Sequence, residues 1–204
     1  MNQKILFLCG MLFPVVYIIM TILGGALRPG YNHISDTVSE LLSPGAPNKS
    51  LLLVFQIAHA LLGSLFGIGV YQFVRESAHD ALIGRIGAGM ITAVGVATIA
   101  TAIFPQDSSG APPTFAGRLH GILVFGVLVP FTILSTLLIG IWLKQANVFP
   151  WFRTYSFITI GASILLAGLA GATLDTPIMG LTERLGVLAG FQWTFVLALK
   201  LFLL

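Results

Sequence analysis

Long runs of apolar residues, separated by short polar segments, divide the chain into six parts. The runs cover roughly residues 5–26, 51–73, 84–104, 119–142, 155–174 and 184–203. A helix needs about 20 such residues to cross a hydrocarbon core of about 30 Å. The strands of a membrane barrel would instead alternate polar and apolar residues over segments of about ten. The pattern therefore predicts an all-α polytopic membrane protein, with six transmembrane helices in one helical-bundle domain over residues 1–204.

The first polar segment, from Arg28 to Pro47, has a helical pattern of its own. Read at helical period, its residues divide into an apolar face and a polar face. The apolar face carries Ile34, Val38, Leu41 and Leu42, and the polar face carries His33, Asp36, Thr37 and Glu40. Asp36 or Thr37 can cap such a helix, with Glu40 completing a capping box for Thr37. We therefore expect a short interfacial amphipathic helix in the first outer loop, forming part of the roof of a polar pocket.

The composition sets the class of protein and limits its partners. The chain is 56% hydrophobic and 8% charged, with a mean hydropathy of +0.97, which excludes a soluble globular domain. The net charge of +3 is mild and is explained by anchoring at a lipid surface, so no nucleic-acid partner is expected. Cys9, the single cysteine, permits no internal disulfide and is expected to pack inside its helix. Membrane lipids are the expected partners, and the oligomeric state is not specified.

Basic residues flank the helices unequally. If the N-terminus is cytoplasmic, the inner side carries Lys4, Arg75, Arg85, Lys144, Arg153 and Lys200, and the outer side carries Arg28, Lys49, Arg118 and Arg184. This bias predicts a multi-pass protein of the cell (inner) membrane with both termini in the cytoplasm. Most acids then lie outside with the first polar segment, namely Asp36, Glu40, Asp107, Asp175 and Glu183. Glu76 and Asp80 lie inside, and His79 is expected to form a solvated pair with Asp80.

Polar side chains inside helices, or at their mouths, are the candidates for chemistry. Such groups are costly in a membrane unless they face protein or water. The catalytic candidates are His59, His120, Asp36 and Glu183, and the ligand-binding candidates are His33, Arg118, Arg184, Asp107, Gln56 and Gln192. Because the helix dipole opposes an arginine at a helix N-terminus, Arg118 is expected to have a carboxylate or phosphate partner, with Asp107 the nearest.

Three segments resemble a known family in their order and spacing. They are YNHISDTVSELLSPGAPN, the FPQD turn followed by RLHG, and GLTERLGVLAGFQW. Together they are similar to the bacterial and archaeal membrane family catalogued as domain of unknown function 998. The resemblance implies six membrane helices and no established activity. Where many relatives have a cysteine after FP, this chain has Gln106, so a cysteine-dependent role would not carry over.

The favoured hypothesis is a non-enzymatic membrane protein with an outward-facing polar pocket. It would bind a lipid or small solute, or act as an accessory membrane subunit. In that case Arg118 and Arg184 would neutralise Asp107, Asp175 and Glu183 and so hold three hairpins together. Replacing either arginine by alanine is then expected to destabilise the protein.

Two other hypotheses assign chemistry to the same residues. One is a membrane hydrolase or transferase acting on a lipid or lipid-linked substrate at the outer leaflet. His59 or His120 would be its general base, an acid would orient that base or hold a divalent metal, and an arginine would bind phosphate. The other is a haem carrier with His59 and His120 as axial ligands. His33 and Asp36 lie one turn apart and are a candidate metal pair, but no tight ligand motif accompanies them. The sequence identifies no cofactor.

Overall fold

The computed structural model describes residues 2–79 and 81–204, so the expected pair of His79 with Asp80 lies outside the described residues. Within these ranges, six helical segments are long and apolar enough to cross a membrane. Their bounds are Gln3–Leu27 (α1), Lys49–Glu76 (α2), Leu82–Ile103 (α3), Phe115–Gln145 (the fourth span), Phe152–Ala172 (α6) and Met179–Phe202 (α7). They agree with the six apolar runs in number and order, which confirms the predicted all-α membrane fold.

The fourth span is the only one that the described structure divides into parts. It comprises α4, Phe115–Leu123, a π-helical turn, Val124–Leu128, and α5, Val129–Gln145. Pro130 has no backbone N–H to donate to the preceding turn, and the irregular turn lies directly before it. None of the residues from 115 to 128 is buried. The first half of this span is therefore less enclosed by the other helices than α5 is.

The six spans form a ring in chain order. Each span packs against the one before it, and α7 closes the ring by packing against α1. Short connections favour this arrangement, because helices joined by few residues become antiparallel neighbours. The ring encloses an interior, which is either filled by side chains or left as a cavity.

The end of the ring at which both termini lie is filled by large side chains. We call it the terminal end. Trp142, Phe152 and Trp193 are almost fully buried there, together with smaller apolar residues of α2, α3 and α7. The indole of Trp142 donates a 2.9 Å hydrogen bond to the carbonyl oxygen of His79, so its single polar group is satisfied. The interior at this end is a close-packed core.

The opposite end is covered by residues 28–47, which we call the lid. The lid contains one short 3₁₀ helix, Ser39–Leu42. Val38, Leu41 and Leu42 are buried against α1 and α2, whereas Ile34 is half exposed. The predicted apolar face is therefore largely correct, but the regular part of the segment is a single short helix.

Contacts with the rest of the protein explain why the lid does not form a longer helix. Several of its backbone groups bond to side chains, so they are not available for a helical ladder. From outside the lid, a Glu183 carboxylate oxygen accepts from Val38 N at 2.8 Å, and Arg184 donates to the Asp36 carbonyl oxygen at 2.9 Å. Within the lid, Thr37 Oγ1 accepts a 3.3 Å hydrogen bond from Glu40 N, which is half of the predicted capping box.

Candidate ligand cavity beneath the lid

A cavity of about 500 Å³ lies inside the ring between the lid and the core of the terminal end. Most of the side chains that line it are apolar. Four residues selected from the sequence also line it, and these are Gln56, His59, His120 and Glu183. The structure therefore brings together side chains from α2, α4 and α7 that are far apart in the chain.

A second, polar space of about 560 Å³ adjoins this cavity at the lid end. We call it the vestibule. It shares Thr37, Gln106, Gly117 and Met179 with the cavity. Four acids line it, namely Asp36, Glu40, Asp107 and Asp175. Among the described residues, no lysine or arginine lines either space.

His59 is buried at mid-depth, on the face of α2 that looks into the ring. Its side chain is 4% exposed and stacks on Phe13 with a centroid distance of 4.0 Å. Nδ1 lies 2.8 Å from the carbonyl oxygen of Phe13. Because a carbonyl oxygen only accepts hydrogen bonds, this contact assigns the proton to Nδ1 of the neutral ring. Nε2 is then the basic nitrogen, on a ring that lines the cavity.

His120 has a similar environment near the cavity mouth and adds a partner that sequence reasoning missed. Its Nδ1 lies 3.0 Å from the carbonyl oxygen of Phe104, and its Nε2 lies 3.3 Å from Ser39 Oγ. Phe104 is the C-cap of α3, where carbonyl groups lack helical partners. Ser39 is one of three serines in the lid. It differs from the other two by its contact with His120, which the sequence does not reveal.

Gln56 and Glu183 attach the cavity wall to neighbouring elements. Gln56 Nε2 donates to Thr101 Oγ1 on α3 at 3.4 Å. Glu183 receives the lid's Val38 N–H, as described above. Glu183 therefore lines the cavity and also anchors the lid by a hydrogen bond.

The Arg184 side chain holds the lid in place by hydrogen bonds to the backbone of the lid. Nη1 donates to the carbonyl oxygens of His33 at 2.8 Å, Asp36 at 2.9 Å and Gly180 at 2.7 Å, and Nη2 donates to the Tyr31 hydroxyl. The hydrogen bonds of Arg184 therefore end on carbonyl and phenol oxygens, and its charge acts on the nearby carboxylates of Glu183 and Asp36 without a hydrogen bond to either. A Cβ on Gly180 would collide with the Asp36 carbonyl, so this close approach requires glycine.

The other candidates lie outside the cavity or in the vestibule. Asp36 and Asp107 line the vestibule. Gln192 bonds to Thr159 and Tyr155 on α6 and lines neither space, while His33 packs on Tyr31 in the lid. Arg118 is exposed at the start of α4 and also lines neither space. The residues predicted to bind phosphate are thus not at the site.

Neither a metal ion nor haem fits the described residues of the cavity and the vestibule. In the described ranges no group of three or more His, Cys, Asp or Glu side chains is arranged to hold a metal ion. Haem held by His59 and His120 would need a free Nε2 on both rings. The Nε2 of His120 faces Ser39 instead.

Local hydrogen bonds set the charge of the vestibule. Burial acts to raise the pKa of Asp36, but hydrogen bonds from Asn32 N and a neighbouring serine hydroxyl outweigh it, and the pKa is lowered. The hydroxyl and the backbone N–H of Thr114 each donate a hydrogen bond to the Asp107 carboxylate, and these two bonds lower the pKa of Asp107. Burial, and then the charge of Asp36, raises the pKa of Glu40. Asp36 and Asp107 are therefore ionised at neutral pH, and the vestibule is acidic.

The comparisons with known proteins identify a family but no function. The model of the family described as "Protein of unknown function (DUF998)" matches residues 11–200. The chain therefore belongs to this family. No curated protein and no solved structure matches the chain.

Proposed function

We propose that this member of the DUF998 family binds an amphiphilic lipid, with the alkyl chain in the cavity and the head group in the vestibule. The observation that carries the proposal is a largely apolar cavity, inside a membrane helix ring, that adjoins a polar space at one end. An elongated ligand with one oily end and one polar end is complementary to that pair of spaces.

The size and lining of the cavity support a lipid rather than a small polar solute. Its volume of about 500 Å³ lies within the range of about 300–1,000 Å³ typical of small-molecule sites. Apolar walls hold water poorly, so an alkyl chain gains the hydrophobic free energy of about 25 cal/mol per Å² that it buries. Polar groups at the lid side then fix the orientation of the head group.

The charges around the vestibule define the head group. Asp36, Glu40, Asp107 and Asp175 all line it, and the described lining of both spaces contains no lysine or arginine. A phosphate or carboxylate would be repelled by these acids. The proposed ligand therefore has an uncharged or cationic head group, whereas the enzyme hypothesis drawn from the sequence has an arginine bind a phosphate.

A route of entry lies beside the fourth span. Among the described residues, α4 and the π-helical turn pack on α3 and make no comparable contact with α6 or α7. The first half of the fourth span is thus separated from α6. Phe125 on the fourth span and Ala167 on α6, on the two sides of this separation, both line the cavity. A lipid can therefore enter sideways from the bilayer.

The side of the membrane follows from charge. The excess of basic residues near the terminal end favours a cytoplasmic location for both termini. The lid and vestibule would then face outward from the cell membrane and would receive lipids of the outer leaflet.

Filling the cavity is expected to abolish lipid binding. A Cβ on Gly121 meets no atom within 4 Å, and Gly121 lines the cavity. Gly121→Leu therefore occupies ligand space without a clash at its base, and we expect the affinity for a fluorescent monoacylglycerol to fall at least about tenfold, or about 1.4 kcal/mol. Binding is measured by fluorescence with purified protein in detergent.

Gly168→Leu is the matched control. Gly168 is an exposed helical glycine on α6 with no atom within 4 Å of an added Cβ, and it does not line the cavity. This variant is expected to bind like the wild type, and a long-chain fatty acid is expected to compete poorly with the probe. Equal affinity in both variants, or strong competition by the fatty acid, would contradict the proposed site or its selectivity.

A further inference from the structure

We propose that Ser39 and His120 form a nucleophile and base pair that cleaves a carboxylic ester in the bound amphiphile. The substrate class is a neutral or cationic ester of a long-chain acid. This inference rests on the proposed function for its substrate, but the pair itself stands on the geometry of two side chains that both line the cavity.

The contact between the two groups has the direction that nucleophilic catalysis needs. Because Nδ1 of His120 faces the Phe104 carbonyl oxygen, it carries the proton of the neutral ring. Nε2 is then an acceptor, and Ser39 Oγ–H donates to it across 3.3 Å. This distance is slightly long for a nucleophile and base pair, but such contacts are often looser without substrate.

The C-terminus of α3 supplies the third element. In a Ser-His-Asp triad, the carboxylate orients the imidazole and stabilises the imidazolium that forms during attack. Here the Phe104 carbonyl, the C-cap of α3, occupies the equivalent position. The negative end of the helix dipole favours a nearby cation, so it stabilises the protonated form of His120. Phe104 is therefore a positioning residue.

A candidate donor for the oxyanion lies at the junction of the two spaces. The Gln106 side chain lines both the cavity and the vestibule, and its Nε2 lies 3.5 Å from Thr37 Oγ1. That contact is long for a hydrogen bond, so the amide can turn to a developing negative charge. Thr37 is two residues from Ser39 in the chain, and Gln106, Thr37 and Ser39 all line the cavity, so we assign the Gln106 amide as the oxyanion donor.

The position of the pair fits an ester that joins a chain to a head group. Ser39 and His120 line the cavity, and Thr37 and Gly117, near them in the chain, line both spaces. An amphiphile with its chain in the cavity and its head in the vestibule has its ester linkage at this level. His59 lies deeper and takes no part.

The reaction proceeds in two balanced steps. Ser39 Oγ attacks the ester carbonyl carbon while His120 Nε2 takes the hydroxyl proton. The tetrahedral intermediate then expels the alcohol, which receives that proton from His120, and an acyl-Ser39 ester is left. Water attacks this ester, His120 again accepts and returns a proton, and the free acid leaves with Ser39 restored. The acidic vestibule favours departure of the anionic acid.

An alkyl fluorophosphonate with a long chain tests the nucleophile directly. It forms a covalent bond to an activated serine and loses fluoride, so the modified peptide is identified by mass spectrometry of the purified protein. We expect the wild type to be labelled at Ser39 and Ser39→Ala to be unlabelled. His120→Ala should be labelled at least about 100-fold more slowly, which is the lower range of general-base effects. The same variants should lose hydrolysis of monopalmitoylglycerol.

Ser43→Ala is the matched control, since Ser43 is a serine of the same lid whose hydroxyl donates to the Glu40 carbonyl oxygen at 2.9 Å. It should be labelled at the wild-type rate. Monoacylglycerol binding by Ser39→Ala separates the two proposals. Retained binding, with no labelling of the wild-type protein at Ser39, would overturn the catalytic pair and leave the proposed function intact. Absence of binding by the wild type would overturn the proposed function.

Discussion

Arg184→Ala is expected to lower the melting temperature of the detergent-solubilised protein by about 6–12 °C. The guanidinium group donates to three carbonyl oxygens that belong to the lid and to the first turn of α7. Hydrogen bonds from a charged group contribute about 1.5–3 kcal/mol each, so we expect a total loss of at least about 3 kcal/mol. For a chain of this length each kcal/mol corresponds to about 2–4 °C.

Arg118→Ala is the control for this variant, because it removes the same side chain from an exposed position at the start of α4. It should change the melting temperature by no more than about 2 °C, as surface substitutions are usually within about 0.5 kcal/mol. This prediction differs from the expectation, drawn from the sequence, that both arginines stabilise the fold. Circular dichroism during heating measures both variants. Similar melting of the two would mean that Arg184 does not hold the lid.

Trp142→Ala is expected to destabilise the protein by about 3–5 kcal/mol, the usual cost of removing a large buried aromatic side chain. Trp142 is fully buried at the terminal end, and its ring packs against Phe73 at a centroid distance of 5.9 Å. The substitution also leaves the His79 carbonyl without its hydrogen-bond donor. The same thermal measurement should show a fall of about 6–20 °C.

Trp151 offers a matched comparison at the same end of the protein. Its side chain is 50% exposed, so Trp151→Ala should cost less than about 1 kcal/mol. If Trp142→Ala were as stable as Trp151→Ala, the terminal end would not be the close-packed core that supports the ring. The contrast between a close-packed terminal end and a cavity beneath the lid would then be contradicted.

The sequence predicted the spans well because their physical cause is local. Each hydrocarbon crossing needs an unbroken apolar segment, so length and hydropathy alone locate it. The lid is an intermediate case. Its buried residues Val38, Leu41 and Leu42 follow from their spacing, but its backbone is fixed by Glu183 and Arg184, about 145 residues further along the chain.

The sequence indicated the residues of the candidate site that are recognised by their burial inside a span. It did not indicate the residue whose role depends on one particular partner. His59 and His120 were selected because an imidazole inside a span needs a protein or water environment, and both line the cavity. Gln192 met the same criterion but bonds to α6, since burial alone does not tell a ligand site from a contact between helices. Ser39 carried no signal, because a lid serine gains its significance only from the nearby His120.

We propose that the space beneath the lid holds the alkyl chain of an amphiphile. The most direct measurement is an experimental structure of the protein in nanodiscs that contain monoacylglycerol with a brominated chain. We predict bromine density inside the ring, next to Gly121 and Gly190, which line the cavity, and loss of that density in Gly121→Leu. Bromine confined to the outer surface of the helices, with the interior beneath the lid closed by side chains, would contradict the account.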